Sequence, residues 1–136
     1  QVIHRDTHLA NLLFMDGRFT GWLDFDITQR NVRLFDLCYL GSAMLVVHYK
    51  DENLAWKWKE AFRGILSGYH KKNALTHKEI KAIPNLFVII ELIFAAFYSS
   101  IGEVETSVSC IEFVNWMYEH REEIGELRPD GVMITR

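Results

Sequence analysis

Asp16-Gly17 stands between two apolar-rich runs, Leu12-Leu13-Phe14-Met15 and Phe19-Thr20-Gly21-Trp22-Leu23. Asp-Gly is a favoured two-residue hairpin turn because both positions tolerate positive φ, and such a turn makes the flanking runs pair antiparallel. Leu12, Leu13 and Phe14 are therefore expected as a buried strand, with residues 19–23 as its return. Two strands of similar length then carry Asn11 at one open end and Asp24 at the other, so the turn alone brings these two side chains close together.

After Asp26 the pattern turns helical and stays so. Residues 33–48 are strongly apolar, and Asp51 is a plausible cap for a next helix in which Leu54, Trp58, Ala61, Phe62, Ile65, Leu66 and Tyr69 recur at helical spacing. Thr76 and Glu79 match a capping box. Pro84 is expected to separate a short helix from a longer one beginning at the proline. Residues 86–101 form the most apolar run; it falls short of a bilayer span of about 20 residues and carries Glu91, so a buried core helix is expected. Ser109 and Glu112 suggest a second capping box or a helix starting slightly earlier, with Ile111, Val114, Met117 and Tyr118 on its apolar face. Pro129-Asp130-Gly131 breaks into a tail. A small hairpin followed by four or five helices is an α+β layout, mostly α, in a single domain.

Lys and Arg number 15 against 18 Asp and Glu, a formal charge of −3, so nothing global points to a nucleic-acid or membrane partner. Cys38 and Cys110 lie in apolar surroundings and read as free buried thiols of a reducing, cytoplasmic setting. No targeting segment is visible at the first residues.

The chemistry concentrates in the first 26 residues, where His4, Asp6, His8, Asn11, Asp24 and Asp26 interrupt apolar sequence. Phosphoryl transfer from ATP needs a carboxylate near the attacking hydroxyl and oxygen ligands for the magnesium that bridges the phosphates. Asp6 and Asn11 have the D-x-x-x-x-N spacing of a kinase catalytic loop, and Asp24 follows at the far end of the hairpin. On this reading Asp6 orients the acceptor hydroxyl and takes its proton, while Asn11 and Asp24 hold the metal with hard oxygen ligands.

Residues 2–40 resemble the catalytic and metal-binding segments of the aminoglycoside phosphotransferase and choline kinase superfamily, whose members are related to protein kinases. The resemblance rests on His4-Arg5-Asp6, Asn11, Leu23-Asp24-Phe25-Asp26 and Asp36-Leu37. It implies the C-terminal lobe of a protein-kinase-like fold, with a catalytic base at Asp6, magnesium and ATP held through Asn11 and Asp24, and a structural acid at Asp36 that begins the next helix. His4 is expected to pack inward and bond the loop backbone, and Asp26 to support the metal site or cap the following turn. Two features depart from the family: Arg5 stands where many small-molecule kinases carry Gly, and Val32-Arg33 stands where Asp-Pro is common.

The same resemblance implies a small N-terminal lobe bearing a glycine-rich phosphate loop. Residues 1–136 contain no such loop, since Gly64, Gly68 and Gly102 are isolated. The expectation is therefore one lobe over residues 1–136, catalytic hairpin over 1–26 and helices over 33–128, acting on an aminoglycoside, choline or homoserine type of hydroxyl and nearly inactive alone. Two rivals remain. Alternating His4, Asp6 and His8, with Asp24 and Asp26, suit a metal-dependent hydrolase if residues 4–8 form a strand. A non-catalytic interaction module that self-associates through its hairpin face is the other.

Overall fold

A computed structural model describes residues 1–133. Four short strands open the chain: β1 (Val2–Ile3), β2 (Leu12–Met15), β3 (Arg18–Trp22) and β4 (Gln29–Arg30). They form two separate antiparallel pairs, β1 with β4 and β2 with β3. Five helices follow: α1 (Leu34–Leu45), α2 (Glu52–Lys72), α3 (His77–Ser100), α4 (Val104–Glu119) and α5 (Arg121–Gly125). The architecture is α+β and mostly α, as the change of periodicity after Asp26 predicts.

The hairpin forms where Asp16-Gly17 dictates. Both residues are left-handed, at φ 50° and 72°, which matches the twist of the flanking strands. Leu13 opposes Gly21 while Phe14 opposes Phe19, so Thr20 is the extra residue of a bulge, and its hydroxyl bonds Leu13 O at 3.2 Å. The expectation of a buried strand is corrected: Phe14 is 60% and Phe19 50% exposed. The pair lies apart from the helical core, so its apolar side chains meet one another, Phe14 edge-on to Phe19 and Phe19 to Trp22, rather than a covering layer.

α1 is the central helix, burying Leu34, Phe35, Leu37, Cys38, Gly41, Ser42 and Leu45. It ends three residues before His48, and turns lead to Asp51. The Asp51 carboxylate caps α2 by accepting from the N–H groups of Asn53 and Leu54. α2 buries Ala55, Trp58, Phe62 and Leu66, while Ala61, expected on that face, is exposed. Trp58 and Phe62 stack at 5.4 Å, and Phe87 of α3 meets both edge-on. Cys38 and Cys110 are free and buried, and burial pushes both thiols up.

α3 begins at the full Thr76–Glu79 capping box but is one helix, not two. Pro84 removes the N–H that would bond back one turn, yet Ile80, Ile83 and Phe87 on either side are all buried, and packing carries the helix through. α5 lies on this turn, with Gly125 facing Pro84. The expected core helix is buried on one side only: Ile83, Phe87, Ile90 and Glu91 face inward, whereas Ile89, Leu92, Ile93 and Phe97 are exposed. With 24 residues α3 is long and apolar enough to cross a membrane, but its inward face packs on α1, α4 and α5. α4 starts at Val104, and the Ser109 hydroxyl bonds Glu105 O, so no second capping box forms. Its buried residues are Cys110, Phe113 and Met117, with Ile111 and Tyr118 turned out.

Candidate active site

The loop at residues 4–8 is held by the first turn of α1. The Asp36 carboxylate accepts from the backbone N–H of His4 and of Arg5, each at 2.8 Å, and the Thr7 hydroxyl donates to Asp36 O at 2.6 Å. Arg5 adopts φ 74°, a left-handed conformation that L side chains pay for, and the bond from its own N–H together with that from His4 keeps it there. Glycine is the residue such a position prefers.

His4 packs inward as expected. Its Nε2 lies 2.8 Å from Leu23 O, and because a carbonyl only accepts, Nε2 carries the proton. Nδ1 is then free to accept from Asp6 N at 3.3 Å. The ring sits against Trp22 and Phe25, which ties the loop to the open end of the hairpin.

Asp6 is fixed from two sides. Its Oδ1 accepts from the Tyr39 hydroxyl and its Oδ2 from Asn11 Nδ2, both at 2.9 Å. Asn11 Nδ2 also donates to Asp6 O at 2.9 Å, so the amide is turned with its nitrogen to Asp6 and its oxygen the other way. Among the described residues, Asn11 Oδ1 accepts no hydrogen bond, and it is not a sealed orphan. His8 caps the short 3₁₀ turn Leu9–Asn11 by accepting from Ala10 N, and its other nitrogen lies 3.5 Å from Asp6 Oδ2.

The hairpin register carries Asp24 to Asn11. Leu23 N donates to Asn11 O at 2.9 Å, one rung beyond the Leu12–Trp22 pair, and Asp24 follows directly. Asp24 is left-handed at φ 58°, and its exposed carboxylate has a single long contact, from Asp26 N at 3.4 Å. Asp26 is exposed and caps no helix. An amide oxygen and a carboxylate at adjoining ends of two strands form a hard donor set that suits magnesium completed by phosphate and water oxygens.

Two residues escaped the sequence reading. Tyr39 lies one turn after Asp36 on α1, and that i, i+3 spacing is the signal that places both on the face under the loop. Burial and the neighbouring Asp6 hold its phenol above the usual tyrosine range, so it remains a donor. Phe94 of α3 packs on Tyr39 at 5.4 Å, and beside them a cavity of about 460 Å³ opens onto Asp6.

The family model described as the phosphotransferase enzyme family matches residues 1–74, which span the loop, the hairpin, α1 and α2. The chain belongs to this family. Neither a curated protein nor a solved structure matches it.

Within this phosphotransferase family member, residues 4–8 are a loop rather than the strand on which the hydrolase alternative depends, and both His4 nitrogens are engaged with backbone. Trp58 is core, whereas Trp56 and Trp116 border one open cleft in which Lys59 and Glu123 pair. His70 and His120 are half-buried, His70 Nδ1 accepting from Leu75 N and His120 stacking on Trp116.

Proposed function

We propose that these residues are the C-terminal lobe of a protein-kinase-like, ATP-dependent phosphotransferase that phosphorylates a hydroxyl group of a small molecule. The observation that carries this reading is the Asp6 carboxylate, anchored by Asn11 Nδ2 and Tyr39 and facing a cavity large enough for a small acceptor. Each anchored oxygen keeps a second lone pair, so Asp6 can accept from an incoming hydroxyl without releasing its own partners. Asn11 Oδ1 and the Asp24 carboxylate would hold magnesium, which when bound neutralises phosphate charge. The acceptor oxygen forms the new O–P bond as the bond from the γ-phosphorus to its bridging oxygen breaks. ADP leaves with that electron pair, and the acceptor proton passes to Asp6.

His4 and Asp36 act through the backbone, the first by binding Leu23 O and the second by holding the N–H groups of residues 4 and 5. Since residues 1–136 carry no glycine-rich phosphate loop, the chain by itself should transfer little phosphate. Detectable ATP-dependent phosphorylation of a small alcohol by this chain would overturn that part. The metal site is tested separately, with Mn²⁺ and ATP added to isotope-labelled chain. Amide signals near Asn11 and Asp24 should broaden, those of α5 should stay sharp, and Asp24→Ala should abolish the effect. Broadening that survives both Asp24→Ala and Asn11→Ala would sink the proposed metal ligands.

A further inference from the structure

The cavity at Asp6 says what kind of alcohol belongs there, an inference that rests on the phosphotransfer reading. It is lined by Phe35 and Tyr39 of α1 and by Ile90, Ile93 and Phe94 of α3. Among the described residues, the charged ones that line it are Asp6 and Arg5. Asp6 is the carboxylate the acceptor hydroxyl needs, which leaves no second acid to receive a cation. Glu91, the nearest other acid on α3, lines a different cavity, and its buried carboxyl is bonded to Ser42 Oγ at 2.5 Å.

Arg5 brings a positive charge to the set of residues that line the cavity. Its guanidinium has no hydrogen-bond or ion-pair partner among the described residues, while its backbone holds a conformation for which glycine is better suited. Aromatic faces attract cations, but the charge of Arg5 offsets that of Asp6, which leaves no net negative charge to hold a cation, and apart from the Tyr39 hydroxyl the remaining lining is hydrocarbon. We infer that the acceptor is a neutral alcohol on a compact apolar body, and that ammonium-bearing alcohols are disfavoured.

The test is methyl NMR on the 136-residue chain with labelled isoleucine, because Ile27, Ile90 and Ile93 line the cavity and Ile3, Ile65, Ile111 and Ile124 do not. Three probes are titrated: 2-phenylethanol, choline and 2-deoxystreptamine. Burial of even two extra methylene equivalents changes affinity by roughly tenfold, so 2-phenylethanol should shift the three cavity methyls at concentrations about tenfold below either cation. Ile93→Glu, at a half-exposed site that tolerates charge, should remove the response, and Leu92→Glu, one residue away and outside the cavity, should retain it. Arg5→Gly, which fits the positive φ, should narrow the gap by improving choline.

The inference is overturned if choline or 2-deoxystreptamine moves these methyls at an equal or lower concentration, or if no probe moves them. The Mn²⁺ broadening at Asn11 and Asp24 is read on the same samples. Its absence would remove the phosphotransfer reading, while the methyl shifts would still decide which ligand class the cavity accepts.

Discussion

Asp36→Asn is the most informative single change, because it preserves shape while removing the charge that holds the loop at residues 4–8. The native carboxylate accepts two backbone N–H groups at 2.8 Å, from His4 and from Arg5. Hydrogen bonds to a charged group contribute about 1.5–3 kcal/mol each, against about 1 kcal/mol for a neutral one. Asparagine keeps one oxygen and so one neutral bond, while its amide N–H₂ is set against the other N–H, donor to donor. The net loss is about 2–4 kcal/mol, near the lower figure because Asp36 is only half-buried. With a slope of about 1–3 kcal/mol/M, the urea midpoint should fall by about 1 M. Asp26→Asn, at an exposed carboxylate, is the matched control and should stay within about 0.5 kcal/mol of wild type. Circular dichroism at 222 nm follows both variants, and Mn²⁺ broadening at Asp24 should weaken in Asp36→Asn as the loop relaxes. Unfolding of Asp36→Asn within the range of the control would refute the claim that this carboxylate holds the loop.

Gly41→Ala should cost about 1–3 kcal/mol or more, since an added Cβ would lie 2.6 Å from Phe62 Cε2 and 2.9 Å from Phe87 Cζ where α1 crosses the core; a thermal melt unchanged from wild type would contradict that crossing. The Arg33 guanidinium, helped by Thr76, lowers the Glu79 carboxyl from 4.5 to about 2. Because the folded value is the depressed one, its stabilisation is complete above 4.5 and is lost as pH falls toward 2, so Glu79→Gln should melt lower near neutrality and lose less on acidification, as calorimetry would read; parallel curves would refute the pairing. The exposed Phe14, Met15 and Phe19 on the hairpin should drive self-association, seen by light scattering as a mass that rises with concentration and returns to the monomer in Phe14→Glu; a constant monomeric mass would count against it.

Local chemistry was readable from the sequence, and contacts across the fold were not. Asp16-Gly17 demanded its turn through φ alone, and that turn brought Asn11 and Asp24 to adjoining strand ends; Asp51, Thr76 and Glu79 demanded their helix starts through side chains that reach only the next turn. Pro84 misled because its local cost is real, yet buried Ile80, Ile83 and Phe87 outweigh it over a helix of 24 residues. The hairpin misled in the opposite sense: apolar residues announced burial, but burial needs a partner layer, and no pattern within residues 12–22 says whether one arrives.

The same distinction separates the candidate site from the cavity beside it. Asp6, Asn11 and Asp24 are brought together by one loop and one hairpin, so spacing finds them. Asp36 works by accepting from backbone N–H groups, which every residue but proline supplies, so its role in gripping residues 4 and 5 leaves no mark on those residues' identities. The cavity at Asp6 is less legible still, because it depends on which side of α3 turns toward that residue. Ile89, Ile90, Leu92, Ile93 and Phe94 are all apolar, and an all-round apolar helix has no pattern that says which side faces the site. Packing of α3 on α1 makes that choice, bringing Phe94 against Tyr39 and leaving Ile89 and Leu92 outside. The charges at the cavity are local again: Arg5 immediately precedes Asp6, so the residue that holds a positive φ in the loop is also the one that should weaken the cavity's hold on cationic acceptors.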